Sequence, residues 1–224
     1  MTRVGNFSSS AIYRLCGSNT VFETYVRNKR RERRLGNAIE KRHNAKPTRW
    51  GELCEPIAVS KLPKEDGYHY VSHLRLFHSE IACWCGVPDL VNDLFVGDIK
   101  CPWSYTSFCQ YVDYIEAGDL EKFKKNQKEV YWQLVSNGIL ADKRKAELIV
   151  YMPTLADLDL VHKAADGVPE YSFVQWASSN DELPYLPENS KYKSMYRYQF
   201  DIPQDDIEFL TERVRLAESK LLAA

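Results

Sequence analysis

The apolar positions of this chain fall into two periods. Residues 81–85 (IACWC) and 94–99 (LFVGDI) are short apolar runs of strand length, joined through Pro88-Asp89 and Asn92-Asp93, which mark bends. Residues 146–152 read as a buried strand, residues 196–202 alternate as a strand, and residues 68–77 and 171–176 also carry strand patterns. Helical spacing predicts a short helix over 8–15 behind capping serines and a long one over 20–44. Pro47 breaks the latter, and Thr48 starts a third over 48–62. Further helices are predicted over 104–117, ended by Gly118, over 119–140, and over 204–222. Val130, Leu134 and Gly138 form the packing stripe of the 119–140 helix. Residues 155–192 are otherwise loop-rich. No repeat and no linker interrupts the pattern, so one domain over residues 1–224 is expected.

Composition narrows the class. The chain has 224 residues, 44% hydrophobic and 12% aromatic, enough for a sizeable core. Its 30 basic and 31 acidic residues leave a net charge of −1, which argues against attachment to nucleic acid by bulk charge and leaves room for a local basic groove. No apolar run approaches the ~20 residues of a membrane span. Residues 1–10 (MTRVGNFSSS) lack the apolar core of a signal peptide, so an intracellular, cytoplasmic protein is expected. Cys83-x-Cys85, with Cys101 and Cys109, lacks the C-x₂-C turn of a metal knuckle. Reduced core cysteines, with no cysteine-bound metal, are the expectation.

Residues 94–100 carry the chemistry. The strand is apolar to Val96 and then bears Asp98 and Lys100, two apart and therefore on one face. Asp89 lies a hairpin away. Carboxylates suit Mg²⁺, which polarises a phosphate and lowers the pKa of an attacking water, and a nearby cation offsets the charge that develops. Pro88-Asp89 and Asp98-Ile99-Lys100 fit the PD-(D/E)xK pattern of metal-dependent nucleases. The pattern is short, and a surface hairpin with a solvated salt bridge fits these residues equally well.

Two flanking stretches add to it. In residues 48–62, Gly51, Glu55 and Ala58 share one helix face whose small residues would permit close packing; a glutamate there needs a partner. Glu52, a turn away, is the alternative with a structural role. Residues 27–34 (RNKRRERR) hold six basic side chains. They read as a solvated helix face or as a strip contacting phosphates, with Arg30 and Arg33 its candidates. His69, His73 and His78 read as structural or exposed rather than as ligands.

Together these residues resemble a family. Gly51-x-x-x-Glu55-Pro56-x-Ala58, Pro88-Asp89, Asp98-Ile99-Lys100-Cys101-Pro102 and Tyr131-Trp132-Gln133-Leu134 look like the ordered motifs of the YqaJ-type viral recombinases, relatives of phage lambda exonuclease. The resemblance covers about residues 49–153. It implies an α/β fold with a central mixed β-sheet flanked by helices, a restriction-endonuclease-like (PD-(D/E)xK) core. It also implies a Mg²⁺-dependent exonuclease, with Mn²⁺ able to substitute, that degrades linear duplex DNA from 5′ ends and leaves 3′ overhangs for recombination. A single-strand annealing protein as partner, a ring-shaped homotrimer for the lambda type, and a phage or prophage origin within a bacterial host are further implications.

Position by position, the resemblance implies Asp89, Asp98 and the Ile99 carbonyl as metal ligands, with Glu55 beside them. Lys100 would orient or activate the water, and Gln133 would hold the scissile region. Tyr131 and Arg14 are the remaining candidates for DNA contact. Val87-Pro88-Asp89-Leu90 departs from the family's Ser-Pro-Asp-Gly, and Val135 replaces a second glutamine. No clear equivalent of the 5′-phosphate arginine is evident, with Arg3 and Arg14 the candidates. A site-specific endonuclease of the same fold and a catalytically idle DNA-binding subunit remain open as alternatives.

Overall fold

The computed structural model describes residues 4–39, 45–177 and 182–223, so Arg3 lies outside the described residues. The strands are β1 (Phe7–Ser8), β2 (His69–Tyr70), β3 (Leu76–Phe77), β4 (Trp84–Gly86), β5 (Leu90–Val91), β6 (Phe95–Lys100), β7 (Lys145–Tyr151) and β8 (Met195–Asp201). The α-helices are α1 (Asn19–Leu35), α2 (Lys46–Ser60), α3 (Tyr105–Ala117), α4 (Leu120–Asn126), α5 (Lys128–Leu140), α6 (Leu158–Ala165), α7 (Ser172–Gln175) and α8 (Gln204–Leu222). A 3₁₀ helix, Ser9–Cys16, forms where the first short helix is expected.

The central sheet is mixed, in the order β2-β5-β6-β7-β8, with β6 and β7 parallel and every other pair antiparallel. A smaller mixed sheet, β1-β4-β3, stands beside it. Alternation along the central strands builds a core on each face. Val96, Leu148, Val150 and Phe200 pack with Phe108, Val130 and Leu134 on one face; Ile99, Ile149 and Tyr151 pack with Trp50, Leu53, Ile57, Ala58 and Val161 on the other. Helices thus cover both faces of the mixed sheet, as the resemblance implies.

Several elements differ from their expected form. The strand paired with β6 is the two-residue β5, with Val91 opposite Val96 and Leu90 opposite Gly97, while residues 84–86 belong to the other sheet. The turn decides this: Asn92 Oδ1 accepts from the N–H groups of Leu94 and Phe95 at 2.9 and 2.7 Å, closing a tight reversal just before β6. Residues 68–77 are not one strand. They pair as β2 in the central sheet and then cross to β3 in the smaller one. Helix α1 ends at Leu35 because Gly36 turns left-handed at φ 66°, short of the expected residue 44. Helix α2 begins at Lys46, with Pro47 in its first turn, where its missing N–H costs nothing. The 119–140 helix is two, broken at Gln127 (φ −118°, ψ 46°). Residues 172–175 are helical rather than extended, and α6 occupies part of the stretch read as loop.

Close approach of α5 to the sheet depends on Gly138. A Cβ there would lie 2.3 Å from Ile202 Cδ1 and 3.1 Å from the Lys143 carbonyl. The missing side chain lets α5 lie close over Val96 of β6, the strand whose Asp98 Gln133 reaches one turn earlier in the helix.

Half of the basic run on α1 already serves the fold. Lys29 is buried against Glu32 at 2.9 Å, and Glu32 also accepts from the Gly5 N–H at 2.9 Å. Arg33 Nε donates to the Gly5 carbonyl at 3.0 Å, and Arg30 donates to the Lys220 carbonyl in the last turn of α8. Arg30→Glu and Arg33→Glu are therefore expected to destabilise the chain by about 1 kcal/mol each, through a lost hydrogen bond and, for Arg30, a negative charge at a helix C-terminus. Urea midpoints measure this. The slope of log duplex affinity against log salt should stay where it is; a slope shallower by about one unit per substitution would show phosphate contacts instead.

Candidate active site

The antiparallel ladder between β5 and β6 ends at Leu90 and Gly97. Asp89 and Asp98 follow just beyond that last pair, close enough for the charge of each to act on the other. Beyond Leu90 the strands part, and the Ile99 N–H donates to Asp89 Oδ2 at 2.7 Å in place of a main-chain oxygen. In an extended strand a residue's N–H and C=O leave from the same edge, so the Ile99 carbonyl also faces the Asp89 side.

Asp98 is fully buried. Its Oδ1 accepts from Gln133 Nε2 of α5 at 2.6 Å, and its Oδ2 lies 2.7 Å from Lys100 Nζ. Lys100 Nζ also donates to Gln133 Oε1 at 3.4 Å, so the amide touches both members of the ion pair. The Lys100 side chain keeps 27% of its surface open to solvent. Glu55, half-buried on α2, accepts from the Tyr70 hydroxyl at 2.9 Å. The structure thus brings Glu55, Asp89, Asp98, Lys100 and Gln133 to one place from α2, the start of β5, β6 and α5.

The acids strain against one another. Burial, and then the charges of Asp98 and Glu55, push Asp89 well above the ordinary carboxylate range. Burial raises Glu55 too; the Tyr70 hydroxyl opposes it and the Asp98 charge adds to it. Burial works against the Lys100 ammonium, but the charges of Asp98 and Asp89 outweigh it and hold Lys100 above the usual lysine value. Lys100 is accordingly a fixed cation in this arrangement, suited to stabilising an anion more than to accepting a proton.

These donors fit a hard divalent cation. Among the described residues, no three His, Cys, Asp or Glu side chains are gathered tightly enough to enclose a metal. Mg²⁺ does not require that: it takes one or two carboxylates and keeps several waters. Asp89, Asp98 and the Ile99 carbonyl supply such a partial set of oxygens. The buried Asp98 Oδ2 receives no well-directed hydrogen bond, only the ammonium beside it.

Other expected site residues lie differently. Tyr131 is fully buried, stacked on Phe200, with its hydroxyl on Asp206; it cannot reach DNA, because α5 turns that face into the core. A Cβ at Gly51 would meet no other element within 4 Å, so its missing side chain leaves open space one turn from Glu55 where close packing was expected. Glu52 pairs with Arg49 at 2.8 Å, the structural role foreseen for it. Arg14 lies over the Tyr25 ring at 5.5 Å. His78 is structural: its Nδ1 accepts from the Glu80 and Ile81 N–H groups, and its ring stacks on Trp84 at 5.0 Å.

Beside the acids opens a cleft of about 660 Å³, lined by Ser9, Ser10, Ser72, His73, Arg75 and Gln133 among others. Its serine wall comes close to β4 because Gly86 has no side chain; a Cβ there would lie 2.1 Å from Ser9 Oγ. Tyr70, Ser72 and Arg75 belong to no motif in the sequence. They sit on and after a two-residue edge strand, where no periodic signal marks them.

No protein-family model and no curated protein matches the sequence. Solved structures do. An alkaline exonuclease (LHK-Exo) from Laribacter hongkongensis superposes with a TM-score of 0.66 at 16% identity, covering 99% of this chain and 90% of that one. The same enzyme in complex with dAMP gives 0.66 at 17% identity, over the same shares. A phage-related exonuclease from Haemophilus somnus 129PT gives 0.62 at 17% identity, covering 96% of this chain and 93% of that one. At such identities the likeness speaks to architecture: this chain has the fold of these exonucleases.

Proposed function

We propose that this chain is a Mg²⁺-dependent deoxyribonuclease, with Mn²⁺ as a substitute, that hydrolyses phosphodiester bonds of linear double-stranded DNA. The observation that carries the reading is the meeting of two acids and a lysine, Asp89 held by the Ile99 N–H beside Asp98, with Lys100 bonded to Asp98, on an exonuclease fold. A structural site has little reason to bring a half-buried acid against a buried one, whereas a bound cation removes their repulsion.

When bound, the cation supplies a polarised phosphate and a water of lowered pKa. Asp89, Asp98 and the Ile99 carbonyl hold it, with Glu55 completing the negative wall. Lys100, kept charged by Asp98, neutralises the charge that builds on the phosphate oxygens. Gln133 fixes the rotamers of both Asp98 and Lys100. The cleft next to Gln133 receives the DNA end, and Arg75, with Ser10, offers a cation and a hydroxyl to a terminal phosphate. Arg75 is in this reading the arginine that the sequence motifs did not identify.

The finer reading is a 5′-to-3′ exonuclease that leaves 3′ overhangs, works in phage-type recombination in the cytoplasm of a bacterial host, delivers its product to a single-strand annealing protein, and assembles as a ring. No helix among the described residues is long and apolar enough to cross a membrane.

Digestion of linear and closed circular duplex, with Mg²⁺ and with EDTA, tests the proposal. Linear DNA should be consumed only with Mg²⁺ and circles left intact. Label at the 5′ end should reach mononucleotide early, and label at the 3′ end late. Nicked circles would point to an endonuclease, and binding without cleavage to an idle subunit.

A further inference from the structure

Glu55 differs from Asp89 and Asp98 in coming from a helix rather than from the sheet. A hydrogen bond from the strands fixes which way its carboxylate faces. The tie is the Tyr70 hydroxyl, 2.9 Å from Glu55 Oε1. Tyr70 ends β2 and is paired with Leu90, the neighbour of Asp89, while the Val71 N–H donates to the Asp89 carbonyl at 2.8 Å. Consecutive residues of one strand thus grip Asp89 through the main chain and Glu55 through a side chain. The Ser72 hydroxyl lies beside both Tyr70 and Glu55 and favours the charged form of Glu55.

A two-residue edge strand is a weak platform by itself. This one is pinned from behind by a buried network. Glu147, fully buried on β7, receives Arg197 in a forked pair at 2.7 and 3.0 Å, Gln199 at 3.0 Å and the Tyr68 hydroxyl. Arg197 reaches on to Asp66 at 2.7 Å, and Asn92 bonds the Asp66 carbonyl at 2.9 Å. Residues 66–70 are therefore fastened at Asp66, Tyr68 and Tyr70. A network this fully satisfied fixes geometry more than it adds stability.

We infer that Tyr70 is a positioning residue, holding the Glu55 carboxylate against the Asp89–Asp98 pair so that a divalent cation finds its oxygens already arranged. The inference rests on the metal-dependent reading above. Groups that orient metal-facing carboxylates commonly change metal affinity 10–100-fold when removed.

Calorimetric titration of Mn²⁺ into the unaltered chain, Tyr70→Phe, Glu55→Gln and the double variant tests it, with melting in EDTA confirming that each is folded. Tyr70→Phe keeps the ring and should bind Mn²⁺ roughly tenfold more weakly or worse. In the Glu55→Gln background the same change should add little, because the carboxylate it holds is gone. Unchanged affinity in Tyr70→Phe, or a loss of equal size in both backgrounds, would overturn the inference. If the unaltered chain bound no Mn²⁺, the metal-dependent reading would fall and the inference with it. Should Tyr70→Phe melt far below the unaltered chain, Ser72→Ala provides the second probe of the same tie, with the same two outcomes.

Discussion

Asp98→Asn is expected to slow DNA cleavage by on the order of a thousandfold or more while leaving the chain folded. The substitution removes one anionic oxygen and almost no volume, from a side chain that faces both Lys100 and Gln133. Asp89→Asn should slow cleavage comparably, yet the two should part in stability. Asp98 has a counter-ion, so its loss strands the partly buried Lys100 and lowers the melting temperature. Asp89 instead faces Asp98 and Glu55, and its carboxyl is held well above the ordinary range by burial and those charges. A raised carboxyl contributes stability that is fully present below the unfolded value, about 3.9, and is lost as pH rises through the folded value. In EDTA, Asp89→Asn should therefore melt above the unaltered chain at pH 8, with the gap closing toward pH 4. Saturating Mg²⁺ should reverse the order, since only the unaltered chain gains from the cation. Thermal melts at both pH values, with and without Mg²⁺, report all of this. A mutant that still cuts, or an unaltered chain whose melting ignores Mg²⁺, would show the site to be misassigned.

Lys100→Ala is expected to separate binding from turnover. The ammonium contributes nothing to holding a cation and competes with one for Asp98 Oδ2, 2.7 Å away. Divalent affinity should hold or tighten, and duplex affinity should persist. The chemical step should lose ~3 kcal/mol of transition-state stabilisation, about a hundredfold or more in rate. Single-turnover cleavage of end-labelled linear duplex at saturating Mg²⁺ isolates that step from binding. Full activity would remove Lys100 from the mechanism. A lost rate restored by more Mg²⁺ would recast it as a group that shapes the cation site. Because Asp98 and Asp89 keep Lys100 charged, raising pH toward the ordinary lysine value should not mimic the substitution.

Much of the site was legible because its spacing is local. Asp98 and Lys100 share a face by strand geometry alone, and they do so on β6. Gln133 lies on a helix whose stripe of Val130, Leu134 and Gly138 faces the core, as the period requires. The strands β7 and β8 fall within a residue or two of their expected limits, since long apolar or alternating runs resist misreading.

What the sequence left open is pairing. A two-residue strand such as β5 has no period, and nothing local says that Leu90–Val91, rather than the more apolar residues 81–85, lies beside β6. The Asn92 turn settles it, and with it the approach of Asp89 to Asp98 on which the candidate site depends. Tyr131 shows the same limit from the other side: its motif position suggested DNA, while the packing of α5 against Phe200 and Asp206 buries it. Tyr70 and Arg75 become visible only once β2 is seen at the sheet edge, facing Glu55 and the cleft. Periodicity along a chain encodes which face of an element is buried. Which elements meet is decided by long-range packing, whose partners lie tens of residues apart, and that information exists only in the folded chain.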